Sequence, residues 1–75
     1  MTAFKKGDKV AWSPLFATLH AEGSIVKREA VEANAPDAQF GVIAGVANEA
    51  KTHFEVELED GDPMVLTEDE LVKVS

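Results

Sequence analysis

Two histidines, His20 and His53, are the first residues to weigh for chemistry, because imidazole both ligates metals and carries protons near neutral pH. His53 and Glu55 stand two apart in the alternating stretch Thr52-His-Phe-Glu-Val-Glu-Leu-Glu59. On a strand that spacing puts both on one face. Two ligands result, whereas a catalytic zinc commonly takes three from the protein, so the plainer reading is an exposed polar strand face. Asp60, Asp62, Glu68, Asp69 and Glu70 crowd the end of the chain and offer oxygen ligands suited to calcium or magnesium. They lack the alternate-position pattern of a calcium loop and read as a solvated acidic rim. There is no cysteine to serve as a thiol nucleophile, and Ser13, Ser24 and Ser75 have no histidine beside them in sequence. Neither a phosphate-binding loop nor a dinucleotide fingerprint occurs. The expectation is a protein without catalytic residues, metal or cofactor, and not an enzyme.

Aromatic side chains are the other source of site chemistry. They are Phe4, Trp12, Phe16, Phe40 and Phe54, with no tyrosine. An aromatic cage for a methylated cation needs several of them exposed together. Trp12 and Phe54 fall at alternating apolar positions and read as core. Phe16, which follows Pro14 in an irregular stretch, is the best candidate for an exposed contact.

The elements that must position these residues fit in one small domain over 1–75. A chain of 75 residues buries little of its surface and is marginal alone. With no disulfide available, oligomerisation is the remaining inexpensive staple, and a homo-oligomer is one expectation. Hydrophobic residues make up 45% of the chain, which is not a disordered composition. The start, Met1-Thr-Ala-Phe-Lys-Lys6, has no apolar stretch behind it as a leader would. No run approaches the roughly 20 apolar residues that span a bilayer. A cytoplasmic protein with no membrane partner is expected. Charge is uneven: residues 1–28 hold Lys5, Lys6, Lys9, Lys27 and Arg28 against Asp8 and Glu22, a net of +3. Residues 29–75 hold Lys51 and Lys73 against twelve acids, a net of −10. That balance argues against general nucleic-acid binding, which neutralises phosphates with cations. The plainer reading is a solvated surface that keeps the protein soluble, and the sharper one an acidic side that meets a basic partner.

Lys6-Gly7-Asp8 reads as a turn and Lys9-Val-Ala-Trp12 as a half-buried strand that Ser13-Pro14 ends. Residues 15–22 fit a loop or one helical turn before Gly23, with the loop preferred, and Gly23-Ser-Ile-Val-Lys-Arg28 reads as a second strand. Residues 29–39 form an insertion, either a short helix or a surface loop, that Pro36-Asp37 closes. Phe40-Gly-Val-Ile-Ala-Gly-Val46 carries no charge on either face and reads as a strand covered on both sides, with Gly41 and Gly45 permitting a bend or a close approach. Asn48-Glu-Ala-Lys51 is a turn, and 52–59 is a strand with Phe54, Val56 and Leu58 facing in. Asp60-Gly61 supplies a hairpin through glycine's positive φ, and Met64-Val-Leu66 pairs back. Thr67 and Glu70 have capping-box spacing with room for one 3₁₀ turn before Leu71-Val-Lys-Val74 returns to the first strand. Five or six short strands so arranged make an all-β, strongly bent small barrel.

The stretches "FKKGDKVAW", "GSIVKR" and "FEVELEDGDPMVLTEDELVKV" resemble the SH3-like barrels, and within them the bacterial hypervirulence-associated Tudor-like family. The resemblance covers roughly residues 4–28 and 52–74. It implies an SH3-like (Tudor-like) fold and no one activity, because such barrels serve many functions. Type II dihydrofolate reductases are also SH3-like barrels of about this length. They carry a valine-glutamine-isoleucine-tyrosine stretch where this chain has Pro63-Met-Val-Leu66, so that activity does not carry over. The leading expectation is a non-enzymatic binding module for a protein or peptide, contacted through 13–22, 29–39 and the acidic rim. Its site residues would be Phe16, His20, Glu32, Asp37, Asp62 and Glu68. The alternatives are an accessory subunit of a larger enzyme or electron-transfer complex, and an oligomeric enzyme with its site on a symmetry axis.

Overall fold

The structure is a computed structural model that describes residues 4–21 and 26–74. Strand β1 (Lys9–Trp12) is followed by helices α1 (Pro14–Ala21) and α2 (Arg28–Asn34). Then come β2 (Gln39–Val46), β3 (His53–Leu58), β4 (Met64–Thr67), a 3₁₀ turn (Glu68–Glu70) and β5 (Leu71–Lys73). All strand pairings are antiparallel and the sheet order is β4-β3-β2-β1-β5. The sheet curls into a half-barrel that ends at β4 and β5.

The turns follow from local chemistry. Gly7 takes φ 95°, which costs a glycine nothing sterically. Asp8 N–H donates to Lys5 O at 3.0 Å, and Gly7 N–H donates to Ile43 O at 2.9 Å, which ties this turn to β2. Asn48 Oδ1 accepts from the N–H groups of both Thr52 and His53 at 3.0 Å, an asparagine side chain standing in for backbone across the β2–β3 turn. Thr67 N–H and Oγ1 each donate to Glu70 Oε1 at 3.0 Å, so the expected capping box before β5 is present. Gly41 sits where β2 meets β3. A Cβ there would lie 2.5 Å from Glu57 O, so only glycine admits this approach. The register shifts between Ile43 and Gly45 and bends the sheet.

Two cores result. Inside the curl, Phe4, Val10, Ile43, Phe54, Val56, Leu66 and Leu71 pack together. Behind the sheet, the outward side chains Ala11, Val72 and Val74 are covered by Phe16 of α1 and by Val31 and Ala35 of the α2 segment. Trp12 is half-buried and touches both clusters.

Several expectations are corrected. Residues 15–22 were expected as a loop, yet Pro14–Ala21 is helical. Ser13 Oγ accepts from Leu15 N–H at 3.1 Å as a helix cap does, and Pro14 at the first helical position loses no hydrogen bond. Eight residues do not hold a helix alone; burial of Phe16, with Leu19 packed against the same cluster, does so here. In the expected strand over 23–28, residues 23–25 lie outside the described residues, Val26 and Lys27 are in no strand, and Arg28 opens α2. The second strand is therefore Gln39–Val46. Of the two alternatives for 29–39, the structure has the short helix over its first part, and Val31 within it is fully buried. Among the described residues the fold is mostly β, a curled half-barrel of five antiparallel strands, with two short helices beside it. Val42 and Val46 are exposed, so β2 is not covered on both sides throughout. The Asp60-Gly61 connection runs five residues from Leu58 to Met64, and its glycine is not at positive φ. The pairing of β5 with β1 is as expected.

Candidate functional site

The residues expected to form a contact surface scatter over the molecule. Phe16 is corrected outright: its side chain has no exposed area and packs behind the sheet. His20 is exposed in the last turn of α1. Glu32 is exposed and pairs with Arg28 at 3.1 Å, and Asp37 is exposed in the turn after α2. Asp62 is exposed in the β3–β4 connection, and Glu68 is half-buried at the start of the 3₁₀ turn. They do not converge on one site.

His53 has a structural neighbourhood. Asn48 Oδ1 is committed to two N–H donors, which orients the amide so that Nδ2 faces His53 Nδ1 at 3.1 Å. His53 Nδ1 therefore accepts, and Thr52 Oγ1 lies 2.9 Å from it. Among the described residues there is no group of three or more His, Asp or Glu side chains placed to hold a metal ion.

One charged cluster stands out on the surface behind β2. Arg28 donates from Nη1 and Nη2 to the two Glu59 carboxylate oxygens at 3.0 Å each, and from Nε to Glu32 at 3.1 Å. Its guanidinium also lies 4.1 Å over the Phe40 ring. The Arg28 hydrogen bonds hold the Glu59 carboxyl below the usual carboxylate range. Both side chains are about half exposed. This cluster joins α2 to Phe40 of β2 and to Glu59, the residue after β3. Asp8 is likewise held low, first by the Lys5 backbone N–H and then by Lys73 at 3.4 Å.

The feature most like a binding site lies at the other end of the curl. A groove of about 720 Å³ opens between Phe4–Lys6, the end of β2 and the β2–β3 turn. Phe4 and Phe54 form its floor, with ring centroids 5.4 Å apart in an edge-to-face pair. Val46, 48% exposed, forms a wall, and Lys5, Lys6 and Lys51 stand on the rim. Of the expected site residues only Glu68 reaches it. Sequence reading missed this place because its residues come from three separate segments. The one available signal was Val46, an apolar side chain at a strand end beside a turn.

No protein-family model, curated protein or solved structure matches this chain. Among the described residues no helix is long and apolar enough to cross a membrane.

Proposed function

We propose that this protein is a non-enzymatic binding module of the SH3-like, Tudor-like kind that recognises a protein or peptide partner. The SH3-like part of the reading is supported by the strand order β4-β3-β2-β1-β5 with a 3₁₀ turn between β4 and β5, together with the likeness of the sequence over roughly residues 4–28 and 52–74. The observation that carries the binding part is the groove over Phe4 and Phe54. It is an apolar floor with a charged rim, and its size falls in the range of about 300–1,000 Å³ common to ligand sites. A second surface, the outward side of β3 with exposed Glu55 and Glu57 next to exposed Val65 of β4, suits a basic partner instead.

The test is a comparison of captures. Immobilised protein, a groove variant (Val46→Asp) and a sheet-face variant (Glu55→Lys with Glu57→Lys) are offered the same native lysate, and retained proteins are identified by mass spectrometry. A discrete partner held by the parent and lost from one variant supports the module. No selective loss from either variant sinks it. Solution mass separates the remaining alternatives: a monomer excludes an enzyme site on a symmetry axis, and a stable tetramer counts against a free-standing module.

A further inference from the structure

The lysine-rimmed groove differs in sign from the rest of the molecule. The chain has a net charge of −7, yet the groove is lined by Lys5, Lys6 and Lys51 against a single acid, Glu68. Among the described residues, the cations that make ion pairs are Arg28 and Lys73, not these three. Lys5, Lys6 and Lys51 thus line an apolar floor, and among the described residues none of the three makes a salt bridge, although the Lys5 charge also acts on Asp8. A ligand that answers both features has a large apolar side chain for Phe4, Phe54 and Val46 and negative charge on either side of it.

Both walls are fixed before any ligand arrives. On one side, Lys5 N–H donates to Asp8 Oδ2 at 3.0 Å, and Gly7 N–H is bound to Ile43 O. On the other, the Asn48 side chain holds the turn, and Lys51 is kept at φ 59°, a left-handed conformation that non-glycine residues adopt uncommonly. Walls already ordered lower the entropy lost on binding. A phosphate backbone is a poorer occupant, because it carries no apolar side chain to use the floor of Phe4 and Phe54.

We propose that this groove receives an extended acidic segment of a protein partner, with one aromatic or large aliphatic side chain seated on Phe4 and Phe54 and carboxylates flanking it at Lys5, Lys6 and Lys51. The proposal rests on the binding-module reading and adds to it the place and the chemistry of the partner.

The experiment is an amide-resolved NMR titration of the full chain with three capped peptides: Glu-Asp-Phe-Glu-Glu, the same with glycine for phenylalanine, and Lys-Arg-Phe-Lys-Lys. The first should move the amides of Gly45, Val46, Lys51 and Thr52 in a saturable way. The glycine peptide should bind at least tenfold more weakly, and the basic peptide should leave these amides unmoved. Lys6→Glu combined with Lys51→Glu should weaken the first peptide at least tenfold while the rest of the spectrum stays in place. Absence of saturable shifts in the groove at millimolar acidic peptide overturns the proposal. Shifts from the basic peptide at Glu55 and Glu57 with a silent groove also overturn it, and would leave the module reading intact with its site on the sheet face. Groove shifts that grow with protein concentration alone would make a second copy the occupant. Groove amides that shift on deleting residues 1–3, with no saturable response of the shortened chain to the acidic peptide, would make those residues the occupant. Displacement of the acidic peptide by a single-stranded oligonucleotide at equal concentration would favour nucleic acid. Each of these three results also overturns the proposal.

Discussion

The two cores on either side of the sheet are built from the same kinds of side chain but answer to different rules. The inner core is made by strands, and its members alternate along 9–12 and 53–58, so each residue states its own direction. The outer core is made where strands meet helices, and neither partner reveals the other. Ala11 is placed outward by the alternation of β1, as it should be, but outward here means beneath α1 and α2. A half-barrel of this size cannot leave Ala11, Val72 and Val74 in water without losing a large share of its apolar burial. The helices are therefore half of the hydrophobic fold, not decoration on a connection.

The sharpest way to break that comparison is to truncate one large residue from each core. Phe54→Ala and Phe16→Ala should each cost about 3–5 kcal/mol, the range for large buried aromatics. Equal losses are expected from chemical denaturation in a stabilising osmolyte, so that both variants have a measurable folded state. A Phe16→Ala variant as stable as the parent would reduce the outer core to a loose cover. By the same reasoning, replacing residues 31–37 with a short turn should unfold the protein rather than leave it intact, because Val31 and Ala35 go with it.

A smaller effect separates two glycines of β2. Gly41→Ala puts a methyl group against the Glu57 carbonyl and should cost about 1–3 kcal/mol, as overpacking does. Gly45→Ala meets nothing within 4 Å and should be neutral or raise stability by up to about 1 kcal/mol by restricting the unfolded chain. Similar melting temperatures for the two variants would remove Gly41 as the contact that sets the spacing of β2 and β3.

Trp12 joins the cores, and its indole Nε1 is buried without a hydrogen-bond acceptor among the described residues. Trp12→Phe removes that donor along with part of the ring, and the two effects oppose each other. A net change under about 1.5 kcal/mol is expected, well short of the loss at Phe16. A larger loss on thermal melting would mean that the indole is bonded.

The smallest effect concerns the fastening of the outer core. The Glu59 carboxyl is lowered in the folded state by Arg28, so its contribution is present above the ordinary glutamate range near about 4.3 and fades as pH falls through the lower folded value. The gap in melting temperature between the parent and Glu59→Gln should be steady near neutral pH and narrow below pH ~4. A gap that stays constant into acid would show that the carboxylate charge is immaterial there.

Legibility from sequence followed the same division. The strand over 53–58, the turn at Asn48, the capping box of Thr67 with Glu70 and the return of the last strand to the first were all readable. The first three depend on residues close together in the chain, and the fourth follows from the need to cover an open sheet edge. Phe16, Val31 and the Arg28–Glu59 pair were not readable, because their partners stand on elements distant in sequence. One clue was present. Leu71-Val-Lys-Val74 carries apolar residues at both parities, and a strand of that composition has cover on both sides. The groove was less legible still: three lysines from two segments become neighbours only when the sheet curls.

The pairing of β1 with β5 has a further consequence, in the order of events during translation. Residues 9–12 leave the ribosome well before residues 71–73, one of their two neighbours in the sheet. β2, β3 and β4 can pair in sequence order as they appear, through connections that close cheaply. β1 can join β2, yet its other edge stays unpaired until 71–73 arrive, and with it Val72, a central part of the outer core. The elements from β1 to β4 must therefore wait, partly assembled, for residues 71–73. A synthesis arrest before Leu71 would leave a sticky strand edge and two uncovered helices exposed to the cell.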